Sequence, residues 1–428
     1  MSTISYTCPC CGAPLAYNSA SGKLECVSCS NNYEPAVLEA MNPTDTRNGV
    51  VFDLPKETFG AEDASQMQAY ICKNCGAELL TEGTTTATEC PYCGSPTILP
   101  NRIVGGVKPE LVVPFVITKE QAQQKFQDYF KGKKLLPNVF LNGRNRITDM
   151  RKLYVPYWLF DCDASANIVY DAQKKNTERQ DDWEIIRTEY FVVRRSGRMS
   201  FDSIPVDGSE KLDNAITESL EPYDLSASVS FQPAVLAGAM ADHADVDADE
   251  CEGRAVERVE SSIAHAIRNT VNGYTSVTER SKNIYAEGGK VTPILLPVWL
   301  ITTEKDGKTY TFAINGQTGK LTCDVPADKK KSIAWGGGVF AGVFGVAALV
   351  LHLLGSLASG TLLLAGVLAA IIALIVMGAL HGQLKKAILK SAAADYVRKD
   401  SFKLEVQYDH FLYQNTQRRK IETEKPKN

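Results

Sequence analysis

The longest apolar stretch of this chain runs from residue 332 to 384, where no Asp, Glu, Lys or Arg occurs. It divides into two spans, 332–355 and 357–380, separated by polar breaks at Gly355-Ser356 and Ser359-Gly360. Each span holds about 24 residues, and about 20 suffice to cross a bilayer. A soluble core helix of that length would carry charges on an outer face, and neither span does. The pattern predicts a transmembrane helical hairpin over 332–384 with a very short connection.

Upstream, residues 106–328 read as a mixed α/β body. Three short apolar segments, 111–116 (LVVPFV), 153–160 (LYVPYWLF) and 294–301 (ILLPVWLI), each carry a proline near the start. A proline there suits the beginning of a strand or an edge position. The last two share a P-x-W-L core, which suggests an internal duplication of one β unit, with Trp158 and Trp299 as core residues. Alternation over 184–193 and 308–314 predicts strands, the second turning at Asn315-Gly316. Thr118 is placed to cap a helix running to Phe130, and Ala255, Val259, Ile263 and Ile267 give helical spacing over 249–269. The fold class is therefore α+β.

Cysteine spacing adds the chemistry. Cys8-x2-Cys11 and Cys26-x2-Cys29 are separated by fourteen residues, and so are Cys72-x2-Cys75 and Cys90-x2-Cys93. Each CxxC pair bends into a knuckle that aims two thiolates at one ion, and two knuckles complete a tetrahedral S4 site suited to Zn2+. With all four positions cysteine, no coordination position stays open for water or substrate, so two structural zinc ions are expected. Gly12, Gly76 and Gly94 follow the second cysteine of their pairs, where the backbone needs freedom. Cys10 is a bystander in this reading, because the matched spacing selects Cys8 and Cys11. Duplicated register also argues against disulfide or redox pairs. The chain is thus expected to divide into a zinc ribbon at 1–35, a linker at 36–65, a second ribbon at 66–105, the body at 106–328, the hairpin at 332–384 and a basic tail at 385–428.

Charge distribution narrows the partners. Residues 1–100 carry four Lys/Arg against eleven Asp/Glu. Ribbons that grip phosphate backbones need a basic face, so nucleic acid is not the expected partner. Lys329, Lys330 and Lys331 precede the first span, and Lys385, Lys386 and Lys390 follow the second. Positive charge at both outer ends puts both on the cytoplasmic side of the membrane, leaving both termini in the cytoplasm. Thiolate ligands call for the same reducing compartment. The tail 385–428, with eleven Lys/Arg and six Asp/Glu, is expected either to lie on anionic headgroups or to be solvated.

Enzyme signatures do not emerge. There is no GxxxxGK[ST], HExxH or GxSxG, and Cys162, Cys251 and Cys323 stand singly without a nearby histidine. Asp245, Asp247 and Asp249 resemble the start of a calcium loop, but Glu250 and Val256 fill the positions that need Gly and Glu. They read better as an acidic start to the following helix. His352 lies within the first span, near its outer turn.

Several segments together resemble a known family: 71–76 (ICKNCG), 154–161 (YVPYWLFD), 204–207 (IPVD), 220–224 (LEPYD) and 315–320 (NGQTGK). They are similar to bacterial transcription-factor-IIB-type zinc-ribbon proteins with C-terminal membrane spans, and the likeness covers nearly the whole chain. Members are sometimes labelled primosomal helicases, which the missing nucleotide-binding motif argues against. The resemblance implies partners among membrane-stress proteins of phage-shock, flotillin-like or virion-core-like type, besides the lipid bilayer. A membrane-anchored, non-enzymatic adapter is the leading expectation. Nucleic-acid or transcription-complex binding comes second, and a membrane-associated enzyme of unknown reaction third.

Overall fold

The computed structural model describes residues 6–41, 50–83, 89–96, 98–101, 106–140, 150–305, 308–356, 358–384 and 387–420. Residues 42–49 of the expected linker, and the cations Lys385 and Lys386, lie outside them. A small antiparallel sheet opens the chain, made of β1 (Leu15–Asn18), β2 (Lys23–Cys26) and β3 (Asn32–Tyr33), with α1 (Pro35–Met41) after it. Then come α2 (Ala61–Gln66), β4 (Met67–Cys72), β5 (Glu78–Glu82) and β6 (Ile98–Asn101). The body contains β7 (Leu111–Val112), α3 (Lys119–Phe130), β8 (Arg151–Gln180), β9 (Trp183–Asp207), α4 (Asn214–Leu220), β10 (Val229–Ser230) and β11 (Met240–Asp242). It continues through α5 (Ala248–Arg268), β12 (Ser276–Lys305), β13 (Lys308–Asn315) and β14 (Leu321–Cys323). Helices α6 (Lys329–Leu353) and α7 (Ser359–Gly382) follow, and β15 (Lys403–Lys420) ends the described chain.

One sheet holds the body together, with strand order β10-β7-β12-β8-β11-β5-β4-β6. The four-cysteine segment 72–93 is therefore continuous with the body, because β5 pairs with β11 and β11 with β8. Helix α5 packs its Ala255, Val259, Ile263 and Ile267 stripe against Phe160, Ala164 and Phe201 of the long strands. Helix α3 is capped by Thr118, whose hydroxyl accepts the Gln121 N–H, and buries Phe126 and Phe130 against Phe312. Both helices match the spacing-based expectation.

The prolines do not sit where strand chemistry first suggests. Pro156 and Pro297 lie inside central strands, paired with Leu295 and Tyr154. Each falls where its strand changes neighbour. Strand β8 pairs in parallel with β11 through Leu153 and Tyr154, then with β9 from Tyr157 onward. Strand β12 does the same, pairing with β7 through Ile294 and Leu295, then with β13 from Val298. A missing N–H costs nothing in the gap between two partners.

That coincidence extends through the body. Val155 faces Leu296 at the centre of the β8–β12 pairing, and the contacts on either side of this pair repeat. The Trp158 indole N–H donates to the Val246 carbonyl at 2.9 Å, and Trp299 donates to Ile117 at 2.9 Å. Gly208 N–H donates to Pro156 O, and Gly316 N–H to Pro297 O. The sheet order β10-β7-β12-β8-β11-β5 reads symmetrically about the same pair.

The tail does not stay free. Residues 403–420 form an antiparallel edge strand on β9, from Lys403 opposite Arg198 to Lys420 opposite Trp183. Tyr408 and Leu412 pack beside Val192 on one face, and Phe411 meets Phe191 edge-on at 5.7 Å on the other, while the strand pairing holds the tail to the sheet. Residues 50–54 also lie along the body: Phe52 stacks edge-on against Phe160 at 5.0 Å and Asp53 bridges to Lys290.

Helices α6 and α7 are each long and apolar enough to cross a membrane, with mean hydropathy 1.9 and 2.8 over their most apolar windows. They pack on each other and leave Ile333, Leu353, Leu363 and Leu374 exposed. Exposed apolar surface of this extent marks contact with a membrane or with another protein.

Candidate metal centres

Four knuckles share one backbone geometry. In each, the N–H four residues after the first cysteine returns to that cysteine's carbonyl: Gly12 to Cys8, Ser30 to Cys26, Gly76 to Cys72 and Gly94 to Cys90, at 2.8–3.0 Å. This turn needs a left-handed residue after the second cysteine. Gly12, Gly76 and Gly94 supply it at φ of 74°, 71° and 68°. Ser30 completes the set at φ 59°, a role that glycine counting in the sequence misses.

The knuckles bring all eight expected cysteines into two groups of four, with the sulfurs of each group within 4.8 Å of one another. Cys8–Cys29 and Cys11–Cys26 lie at 3.5 Å, Cys72–Cys93 at 3.7 Å and Cys75–Cys90 at 3.6 Å. A tetrahedral ion with metal–sulfur bonds of about 2.3 Å has sulfur–sulfur edges of about 3.8 Å. A disulfide would need about 2.05 Å. The spacing fits one metal ion per group, and neither group has room for an exchangeable ligand.

Protonation differs among the thiols. Burial raises Cys8, but N–H groups of Cys11 and Cys10 and the Tyr33 hydroxyl outweigh it and bring the thiol down to about 6. Cys93 is likewise raised by burial and brought down to about 7, chiefly by the Asn74 side chain and the Ser95 N–H. Burial pushes Cys75 up to about 11. Within each group some thiols are held below their ordinary range and others above it. Cys162, Cys251 and Cys323 are buried, and desolvation raises them to about 12, 12 and 11, as expected of inert core thiols.

The two groups sit differently on the body. In the second, Arg151 donates to the Cys90 carbonyl at 2.5 Å and pairs with Glu89. Tyr92, inside the Cys90–Cys93 knuckle, donates to Asp242 Oδ2 at 2.5 Å, where Ser209 also donates. Cys72, Cys90 and Tyr92 belong to the same apolar cluster as Leu153, Val155 and Tyr157. The first group rests on the far end of the long strands, with Leu24, Tyr33, Val37 and Leu38 against Val169 and Val192. Its outer surface carries Val27 at 82% exposure and Tyr17 at 63%.

Asp242 couples the second group to pH. Burial raises its carboxyl to about 7 against the pull of the Ser209 and Tyr92 hydroxyls. The unfolded carboxyl titrates near 4, so stability is highest below about pH 4 and falls as pH rises toward 7. Asp242→Asn keeps an acceptor for Tyr92 and removes the titration. Its unfolding temperature should exceed that of the wild-type chain at pH 8, and the gain should vanish near pH 4. An equal gain at both values would exclude the carboxyl as the cause.

No protein-family model matches the chain, and no solved structure matches it. The chain is 35% identical over 354 residues to the uncharacterized protein YdjG of Bacillus subtilis (strain 168). That alignment covers 82% of this chain and 98% of that protein.

Proposed function

We propose that this chain, which belongs to the family of the Bacillus subtilis protein YdjG, is a membrane-anchored cytoplasmic adapter with two zinc ribbons. Thiolate-only ligation in closed tetrahedra favours Zn2+ over harder divalent ions. Helices α6 and α7 cross the inner membrane as a hairpin. The lysines at both outer ends hold the body, the ribbons and both termini in the cytoplasm. The P-x-W-L units arose by duplication of one βαββ unit, supported by the repeated pairing and the two equivalent indole bonds.

The observation that carries the adapter reading is the contrast between the ribbons. The second is tied into the body through Tyr92, Arg151 and β5, so its zinc supports the fold. The first leaves Val27 and Tyr17 outward on a metal-fixed hairpin. Such a surface binds a partner with little ordering cost. Membrane-stress proteins of phage-shock, flotillin-like or virion-core-like type are the partner class that suits a site held against the bilayer.

Deleting residues 1–38 tests this, because it removes the first ribbon and spares the body's sheet. Chains extracted from native membranes should lose their specific protein partners on deletion. Retention of every partner would overturn the reading.

A further inference from the structure

The repeated halves carry twin clefts that differ in one respect. The first lies beside Trp158 and is lined by Pro109, Ala244 and Pro293. The second lies beside Trp299 and is lined by Gly238, Phe115 and Lys152 at the corresponding positions of the repeat. The cleft beside Trp158 holds only about 20 Å3, and Phe59 sits in its wall, edge-on to Phe231 at 6.5 Å. Residues 57–59 are held along 106–108 by the Lys108 N–H donating to the Glu57 carbonyl and the Phe59 N–H donating to Gly106. Carboxylates flank the anchor: Asp63 and Glu57 meet Lys108 at 2.9 and 3.8 Å. The cleft beside Trp299 measures about 580 Å3, and among the described residues no segment equivalent to 57–59 lines it.

The walls of the open cleft indicate what fits. Phe115 and Trp299 form an edge-to-face pair at 5.3 Å, an apolar floor for a ring or a large aliphatic group. Lys152 Nζ stands 5.3 and 5.7 Å from those rings. Lys119 adds positive charge beside Lys152, Arg151 is paired with Glu89, the one carboxylate among the described wall residues, and the N-terminus of α3 opens onto the same space. Both the helix dipole and the cations favour an anionic occupant.

We propose that the open cleft beside Trp299 docks an extended, acidic segment of a protein partner, with an aromatic anchor seated as Phe59 is seated in the twin. This rests on the adapter reading and adds a second, chemically defined contact to it. The closed twin supplies the template of an aromatic anchor flanked by carboxylates, and the open cleft supplies complementary charge. Peptide recognition through one buried anchor and a charged rim is physically economical.

Photocrosslinking in the full-length, membrane-resident chain tests this. Benzoylphenylalanine replaces Val116, which is 64% exposed on the cleft wall, and, in a second chain, Val27 on the first ribbon. The expected result is a Val116 crosslink that maps to a partner segment with an aromatic residue beside Asp or Glu. Lys152→Glu should weaken that crosslink at least tenfold, with unchanged protease resistance of the body showing that the variant folds; if it misfolds, Lys119→Glu takes its place. Crosslinks from Val27 alone would overturn the cleft proposal and leave the adapter reading standing. Silence at both positions would overturn both. A Val116 crosslink to lipid, to the chain itself or to a segment without that chemistry would overturn the proposal too, as would indifference to charge reversal.

Discussion

Cys90→Ser is expected to prevent accumulation of the folded chain, while Cys11→Ser should leave a folded body. Both cysteines belong to a four-cysteine group, and the difference lies in what each ribbon supports. Loss of the second metal frees β4, β5 and β6, strips Leu79, Tyr70 and Tyr92 from the core cluster and leaves Asp242 buried without its tyrosine donor. Structural zinc supplies on the order of 10 kcal/mol to such modules, comparable with the whole stability of a domain. Loss of the first metal re-exposes Val169 and Val192, about 2 kcal/mol for each side chain. Limited proteolysis and thermal unfolding in detergent should separate the two variants clearly. Equal damage from both would mean that the second ribbon is not integral to the body.

Arg258→Leu is the second large effect. Arg258 and Glu221 are buried and doubly hydrogen-bonded, at 2.7 and 3.2 Å, and Arg258 also donates to the Pro205 carbonyl at 2.7 Å. The same carboxylate accepts from Tyr396 at 3.0 Å and lies 3.5 Å from Lys390. Both of those residues follow α7, so the cluster fastens the chain beyond that helix to the body. Removing only the guanidinium leaves a buried carboxylate short of positive charge, at a cost of about 3–5 kcal/mol. Glu221→Leu combined with Arg258→Leu should recover part of that loss, since the uncompensated charge disappears. A double variant no more stable than the single one would show that packing, not charge, dominates there.

Much of this architecture is legible in the chain itself. Duplicated CxxC spacing picks out the eight cysteines that gather into two groups of four, because knuckle geometry is local and each pair is set by four consecutive residues. Helix α3 and helix α5 follow from Thr118 and the Ala255-to-Ile267 stripe, and the two apolar helices follow from the absence of charge. What escapes is non-local or irregular. Strand β15 reads as a charged tail because Lys403, Arg418, Arg419 and Lys420 crowd its ends and two register shifts break its alternation. Strand β8 runs on through the polar residues 173–180, which only pairing with β9 explains. Pro156 and Pro297 suggest strand beginnings, and only the sheet order shows why an interior position tolerates them. The Tyr92–Asp242 bond joins residues 150 apart in the chain, so nothing in the spacing announces that the second ribbon is built into the body. The P-x-W-L pair hints at repetition, but the clefts beside the two tryptophans emerge only when both halves are folded.

The central claim is that the first zinc centre holds a partner against the membrane. It is tested most directly by measuring zinc content and bound partner together, in chains extracted from native membranes. The wild-type chain should carry two zinc ions and its partner, and Cys11→Ser/Cys26→Ser should carry one zinc ion and none of the partner. A variant with one zinc ion and an undiminished partner would contradict the account.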